Sequence, residues 1–368
     1  MAANTGSTRA RLRDSPLARY LLAVYGLLVA YASLYPLAGW RDPGGSPFDF
    51  LAAPWPRYVT AFDVGVNFFG YVPLGLLSTL VLRPRRSSAA SVGLAVLGAA
   101  ALSLALESAQ SFLPARIASN LDVLANVAGA ACGAAAGVWL APGLLSGGPL
   151  DRLRAAALEP GVAADLGLTL LGLWLFAQLN PATLLFGAGD LRDLVSAPGA
   201  PGARHGVDFF VAVEAAVAAA NLVAVALLAS AVLRAHAPVA RLVAVLVAAA
   251  LVVKTLALAI LMRAEHVFAW LTPGGQLGLA AGAALALAAL RLPAIARIAL
   301  AAMLLMAATV LVNIAPPNPY FSATLRVWEQ GHFLNFNGLT RLVSAAWPFA
   351  ALGYLLYLAA NLRRDPLR

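Results

Sequence analysis

Residues 63–82 read DVGVNFFGYVPLGLLSTLVL, residues 89–110 read AASVGLAVLGAAALSLALESAQ, and residues 121–142 read LDVLANVAGAACGAAAGVWLAP. Each run is mostly apolar and about 20 residues long, the length at which an α-helix crosses the hydrocarbon core of a bilayer. Helices are favoured because backbone groups in hydrocarbon must be satisfied within the segment, and the alternating segments of a β-barrel do not occur. The three runs therefore predict neighbouring transmembrane helices.

The rest of the 368-residue chain has the same character. It is 61% hydrophobic and 11% charged, with a mean hydropathy of +0.82, which is typical of polytopic α-helical membrane proteins. The first span follows a basic lead and is too long for a signal-peptide core, so we expect it to be retained. We predict an all-α transmembrane bundle of ten spans, at residues 18–39, 63–82, 89–110, 121–142, 164–187, 208–233, 240–262, 272–290, 294–315 and 339–361.

Basic residues lie about twice as often on one side of these ten spans as on the other. By the positive-inside rule the richer side is cytoplasmic, which predicts that both termini are inside and that the protein is a multi-pass protein of the bacterial inner membrane. The net charge of +9 comes from basic residues scattered singly between apolar runs, so it indicates topology rather than nucleic-acid binding. Membrane lipids are the expected partners, and the sequence does not indicate an oligomeric state.

Residues 144–163, LLSGGPLDRLRAAALEPGVA, form the longest connection on the predicted inner side. Their glycine, proline and arginine content indicates a boundary between two helical units. We therefore predict a four-helix membrane unit at 1–143, a cytoplasmic linker at 144–163, and a six-helix membrane unit at 164–368.

Polar residues gather at the ends of the three spans quoted first. Helical spacing pairs them on one face of each span, and in the ten-span topology all three faces reach the periplasmic side. Arg116, in the connection between the second and third of these spans, is expected to reach the carboxylates. We predict a ligand-binding cluster formed by Asp63, Asn67, Glu107, Gln110, Arg116, Asp122 and Asn126.

The charges of this cluster indicate what it would bind. Three carboxylates against one arginine leave an excess of negative charge at membrane depth, so the cluster should share protons or bind a cation. Carboxylates and amides suit the amino or sugar groups of a lipid-linked or glycan envelope headgroup. A structural network that locks the three helices is the alternative. Glycines at 129, 133 and 137 form a stripe that would let a neighbouring helix approach closely.

The spacing of these residues resembles a known family. The pattern Asp63-x3-Asn67-x5-Pro73-x-Gly75, followed by Glu107-x2-Gln110-x5-Arg116-x5-Asp122-x3-Asn126-x2-Gly129, is similar to the VanZ-like family of bacterial membrane proteins over about the first 140 residues. The resemblance implies a place in the cell envelope and a link to tolerance of teicoplanin-like glycopeptide antibiotics. It implies no reaction.

Two other classes of function stay open. Glu214 and Lys254 lie inside the sixth and seventh spans, and their pairing would suit proton-coupled transport. An enzyme acting on a lipid-linked substrate would use Glu107 or Asp122 as general base. The chain contains no G-x-S-x-G, H-E-x-x-H or Walker-type motif, so catalysis is not favoured and no catalytic residue is assigned. Dispersed histidines and the single Cys132 predict no metal site, and no cofactor is expected.

A second polar segment lies at residues 315–338. Its polar side chains recur at i, i+3 spacing, which would place them on one face of a short interfacial helix. We treat Arg326, Glu329, His332 and Asn335 as secondary candidates for the same outer site.

Overall fold

The computed structural model describes residues 16–55, 59–145, 148–192, 205–234, 236–261, 267–316, 318 and 334–364. Within these residues there are eleven α-helices and no β-strand. Eight of the helices are long and apolar enough to cross a membrane, which confirms the predicted class of polytopic helical bundle. The chain divides into two compact units, Met1–Ala156 and Ala157–Arg368, called here the N-terminal and C-terminal units.

The N-terminal unit contains four long helices. The first ends at Leu34 rather than at residue 39, because Pro36 disfavours a helical conformation in the residue before it. The second and third begin at side-chain caps, where Thr60 and Ser87 accept hydrogen bonds from backbone N–H groups of the first turn. The helices are α1 (Pro16–Leu34), α2 (Ala61–Leu82), α3 (Ser88–Gln110), α4 (Asn120–Leu145) and the short α5 (Pro149–Ala157), whose last residue belongs to the C-terminal unit.

Backbone contact between α2 and α4 holds the N-terminal unit together. Gly129 lies against the carbonyl of Phe68, and Gly133 lies against the carbonyl of Val72. From the other side, Gly75 of α2 lies against the backbone of α4. A Cβ at any of these three positions would overlap a backbone carbonyl. The close approach predicted from the glycine stripe is therefore confirmed.

The C-terminal unit is built around one central helix, α7. Most of its last twelve residues are buried in the largest apolar core of the protein, and α9 and α10 make their main contacts with it. The helices of this unit are α6 (Val162–Ala177), α7 (Val207–Val232), α8 (Val239–Leu261), α9 (Pro273–Ala289), α10 (Ala294–Ile314) and α11 (Leu334–Arg364).

A helix lies at each of the ten predicted spans, with two differences in length. Helices α6 and α9 have 16 and 17 residues and are shorter than the eight candidate spans. The span predicted at 164–187 ends at Ala177, because Pro181 follows and the residue before a proline avoids the helical region. Residues 178–192 are largely buried without forming a regular helix. The cytoplasmic placement of both termini and the domain limits at 144–163 stay predictions, and α5 lies inside that segment.

Candidate functional site

Arg116 and Gln110 bind the end of α1. The Arg116 guanidinium donates from Nε to the Ser33 carbonyl at 3.0 Å and from Nη2 to the Ala32 and Ser33 carbonyls at 2.8 Å. Gln110 Nε2 donates to the same Ser33 oxygen at 3.0 Å. The last carbonyls of a helix lack intrahelical partners and carry its negative dipole end, so a cation stabilises them.

Arg116 has a role beyond the one that the sequence predicts. Its charge acts on the carboxylates of Glu107 and Asp122 as expected, while the hydrogen bonds described for it go to α1. Burial lowers the pKa of the Arg116 guanidinium, and the two carboxylates oppose that shift. Sequence reasoning missed this capping role because the spacing of residues within α3 and α4 gives no information on where α1 ends.

Glu107 holds the beginning of α4. Its side chain is 4% exposed, and its Oε2 accepts a hydrogen bond from the backbone N–H of Ser119 at 2.9 Å. Ser119 directly precedes Asn120, the first residue of α4, so the carboxylate lies at the positive end of that helix. Asp122 of α4 is half-buried, and the Asn67 side chain of α2 lies beside its carboxylate.

Asp63 has a local structural role. The Thr60 hydroxyl accepts from the Asp63 N–H at 3.1 Å, while Asp63 Oδ2 accepts from the Thr60 hydroxyl at 2.6 Å and from the Thr60 N–H at 3.3 Å. This reciprocal pair is a capping box that begins α2, and the Asp63 side chain is exposed. The T-x-x-D signal was present in the sequence, and our prediction assigned Asp63 to the ligand site without using it.

A second layer of polar groups lies one helical turn further into the unit. Asn126 is 3% exposed, and its Nδ2 donates to the Ser103 hydroxyl at 2.9 Å. The Tyr71 hydroxyl lies close to Ser103. Asn126 Oδ1 is buried and has no hydrogen-bond partner among the residues that the structure describes.

The two layers are in helical register. Each member of the deeper layer lies four residues from a member of the first on the same helix, so the side chains stack on one face of each helix. We call Asn67, Glu107 and Asp122 the upper layer, and Tyr71, Ser103 and Asn126 the lower layer. Sequence reasoning missed Tyr71 and Ser103, although their i, i+4 spacing from Asn67 and Glu107 was a usable signal.

In the C-terminal unit, Lys254 and Glu214 have separate partners. Lys254 is 2% exposed, and its ammonium donates to the Asn180 carbonyl at 2.7 Å, the Thr183 carbonyl at 2.8 Å and the Thr183 hydroxyl at 3.0 Å. Glu214 is 6% exposed and accepts from the hydroxyl of Thr272, the N-cap of α9, at 2.5 Å. The predicted pairing of Glu214 with Lys254 is therefore wrong. Both groups find nearer hydrogen-bond partners in connecting segments.

The secondary candidates are not placed by the structure. Arg326, Glu329 and His332 lie outside the described residues, and the side chain of Asn335 lies outside them as well, although its backbone belongs to α11. Their contribution to the site stays a prediction.

Residues 19–141 match the family model described as VanZ/LLP1. The N-terminal region is of the VanZ type. The match spans α1 to α4 and includes all seven residues of the predicted cluster, so it confirms the resemblance for this region. The C-terminal unit lies outside the match. No curated protein and no solved structure matches the chain. Together with its eight candidate spans, the VanZ-type region makes the chain a multi-pass membrane protein.

Proposed function

We propose that the N-terminal unit binds a polar headgroup at the periplasmic face of the bacterial inner membrane, as a non-catalytic or accessory protein of the cell envelope. The observation that carries this proposal is the placement of Glu107 and Asp122. They come from two helices to one end of the unit, where the single charge of Arg116 acts on both and the hydrogen bonds described for Arg116 go to α1. Two carboxylates at membrane depth are costly unless a cation or a proton compensates them.

The lower layer supports binding over a purely structural network. Almost all buried polar atoms in proteins have a hydrogen-bond partner, because leaving one unsatisfied costs about 1–3 kcal/mol. Asn126 Oδ1 has no such partner in the described part of the chain, and Asn126 lies one helical turn from Asp122. This oxygen is an acceptor that a bound ligand would satisfy.

The same site is the basis of a link to antibiotic tolerance. The VanZ-type region supports a role in tolerance of teicoplanin-like glycopeptides, exerted through an envelope component bound at the proposed periplasmic face. A transporter is less well supported, since the pairing of Glu214 with Lys254 on which it depended does not form.

The test is mass spectrometry of the lipids and metabolites that copurify with the full-length protein. We expect a headgroup lipid to accompany the wild type and to be lost from a Glu107→Gln/Asp122→Asn variant. In a deletion strain, the wild type should restore glycopeptide tolerance and the Glu107→Gln/Asp122→Asn variant should not.

Glu214→Gln is the matched control, because Glu214 is also a buried glutamate that accepts one described hydrogen bond, but it lies in the C-terminal unit. It should keep the lipid. If the same lipids accompany all three proteins while each unfolds at the wild-type temperature, the cluster is structural and the proposal fails.

A further inference from the structure

We propose that the ligand of this site is a primary ammonium group, held by the two carboxylates of the upper layer and the free amide oxygen of the lower layer. The inference rests on the proposed function above and names the chemistry of its ligand. It follows from an account of which donors and acceptors at this end of the unit are already engaged.

Most of the described N–H donors are engaged. Arg116 and Gln110 donate to the end of α1, and the Asn126 Nδ2 donates to Ser103. The Ser119 N–H donates to Glu107, and the Asn67 side chain lies beside the Asp122 carboxylate. The Ser119 hydroxyl is buried and has no partner among the described residues. A ligand that presented mainly acceptors, such as a phosphate or a sulfate, would meet two carboxylates and few available donors.

The groups that remain are mainly acceptors. Ionised carboxylates can only accept hydrogen bonds, and each has room for more than one donor. Asn126 Oδ1 is a third acceptor, buried and without a partner in the described ranges. Its position is fixed by two neighbours. Asn126 lies one turn from Asp122 on α4, and its amide is held by Ser103, which lies one turn from Glu107 on α3. The unpartnered oxygen is therefore in the seam of α3 and α4 beneath both carboxylates.

A primary ammonium matches this set of groups. It carries one positive charge and three N–H donors, which is one donor for each of Glu107, Asp122 and Asn126. A hydroxyl brings one donor and no charge, and a trimethylammonium brings charge without any donor. A divalent cation such as Ca²⁺ would call for six or more oxygen ligands. The contact of Gly129 and Gly133 with the α2 backbone also keeps the helices close, which favours a compact ammonium over a bulky one.

Binding of short-chain lipids to the detergent-solubilised full-length protein tests the ligand class. We would measure the dissociation constants of dihexanoyl phosphatidylethanolamine, phosphatidylcholine and phosphatidylglycerol, and of free ethanolamine. Hydrogen bonds to a charged group predict at least tenfold tighter binding of the ethanolamine lipid than of the other two lipids. If free ethanolamine binds as tightly as the ethanolamine lipid, the ligand is a soluble amine. If free ethanolamine binds more weakly than the lipid, the ligand is a lipid headgroup. Both results support the ammonium class.

Other results overturn the inference in distinguishable ways. Equal affinity for the three lipids, still dependent on Glu107 and Asp122, would refute the ammonium class and leave the proposed function standing. If no lipid binds in a way that depends on these two carboxylates, both the ammonium class and the proposed function are refuted. Displacement of the ethanolamine lipid by Na⁺ at concentrations where free ethanolamine fails to displace it would assign the site to an inorganic cation.

Two substitutions of Asn126 isolate the lower layer. Asn126→Asp keeps an acceptor and should bind the ethanolamine lipid at least as tightly as the wild type. Asn126→Leu removes the acceptor and should weaken that binding about tenfold or more, with little change for phosphatidylglycerol. Wild-type affinity in a folded Asn126→Leu variant refutes the inference. Should that variant not fold, Glu107→Gln must still abolish the preference for the ethanolamine lipid, and the control Glu214→Gln must keep it.

Discussion

Replacing Gly133 with alanine tests whether the backbone contact between α2 and α4 sets the geometry of the site. The added Cβ would lie 1.9 Å from the carbonyl oxygen of Val72, which has to retreat by roughly 1.5 Å to restore van der Waals contact. A backbone carbonyl in the middle of a helix cannot rotate away as a side chain does. We therefore expect a cost of about 2–3 kcal/mol, in the upper part of the range for overpacked cores.

The assay is thermal unfolding of the purified protein together with ethanolamine-lipid binding. For a unit of this size, about 2–3 kcal/mol corresponds to a fall in Tm of roughly 4–12 °C. Separating the two helices also moves Asn67 away from Asp122, so the lipid should bind more weakly. Gly98→Ala on α3 is the control, because a Cβ there meets nothing within 4 Å, and it should leave Tm unchanged or raise it. Equal Tm values for the two alanine variants would refute the reasoning.

Two further substitutions test contacts made by basic residues. Arg116→Lys should lower Tm by several degrees, since a single ammonium cannot reproduce the forked hydrogen bonds to the end of α1. The control is Arg291→Lys at an exposed position. Equal Tm values for the two variants would contradict the capping role. Lys254→Met leaves the carbonyls of residues 180 and 183 without their donor, and each unsatisfied carbonyl costs about 1–3 kcal/mol of stability. Local opening of residues 178–192 should therefore be easier, and their amides should exchange hydrogen faster. Val252→Met, at an exposed position of the same helix, should leave their exchange unchanged, and unchanged exchange in Lys254→Met would show that the lysine does not hold this segment.

The features that the sequence predicted well are those set by local chemistry. Apolar runs of membrane-spanning length predicted the long helices, because burial of the backbone in hydrocarbon allows few alternatives. The glycine stripe predicted a close helix contact, and the structure shows it at Gly129 and Gly133. The i, i+4 spacing put Asn67 and Asp122 on polar faces of α2 and α4, and the structure brings these two side chains close together.

The features that the sequence did not reveal depend on contacts between distant segments. Arg116 binds carbonyls more than 80 residues earlier in the chain, and backbone acceptors leave no trace in the residue pattern. Lys254 was assigned to Glu214 because opposite charges attract, but three oxygen atoms of a connecting segment already satisfy its ammonium. The end of α6 was misplaced because the apolar residues after Pro181 read as a continuing span although the backbone leaves the helix there.

The hydrogen bonds of Lys254 have a consequence for biogenesis. The lysine lies 74 residues after Asn180 and 71 after Thr183, so the segment that it holds is synthesised well before it. At about 5–20 residues per second the delay is roughly 4–15 s. During that time the two carbonyls need water or another donor, because hydrocarbon offers none. Residues 178–192 therefore reach their final buried position only after α8 has been synthesised, so this early segment of the C-terminal unit is completed late in translation.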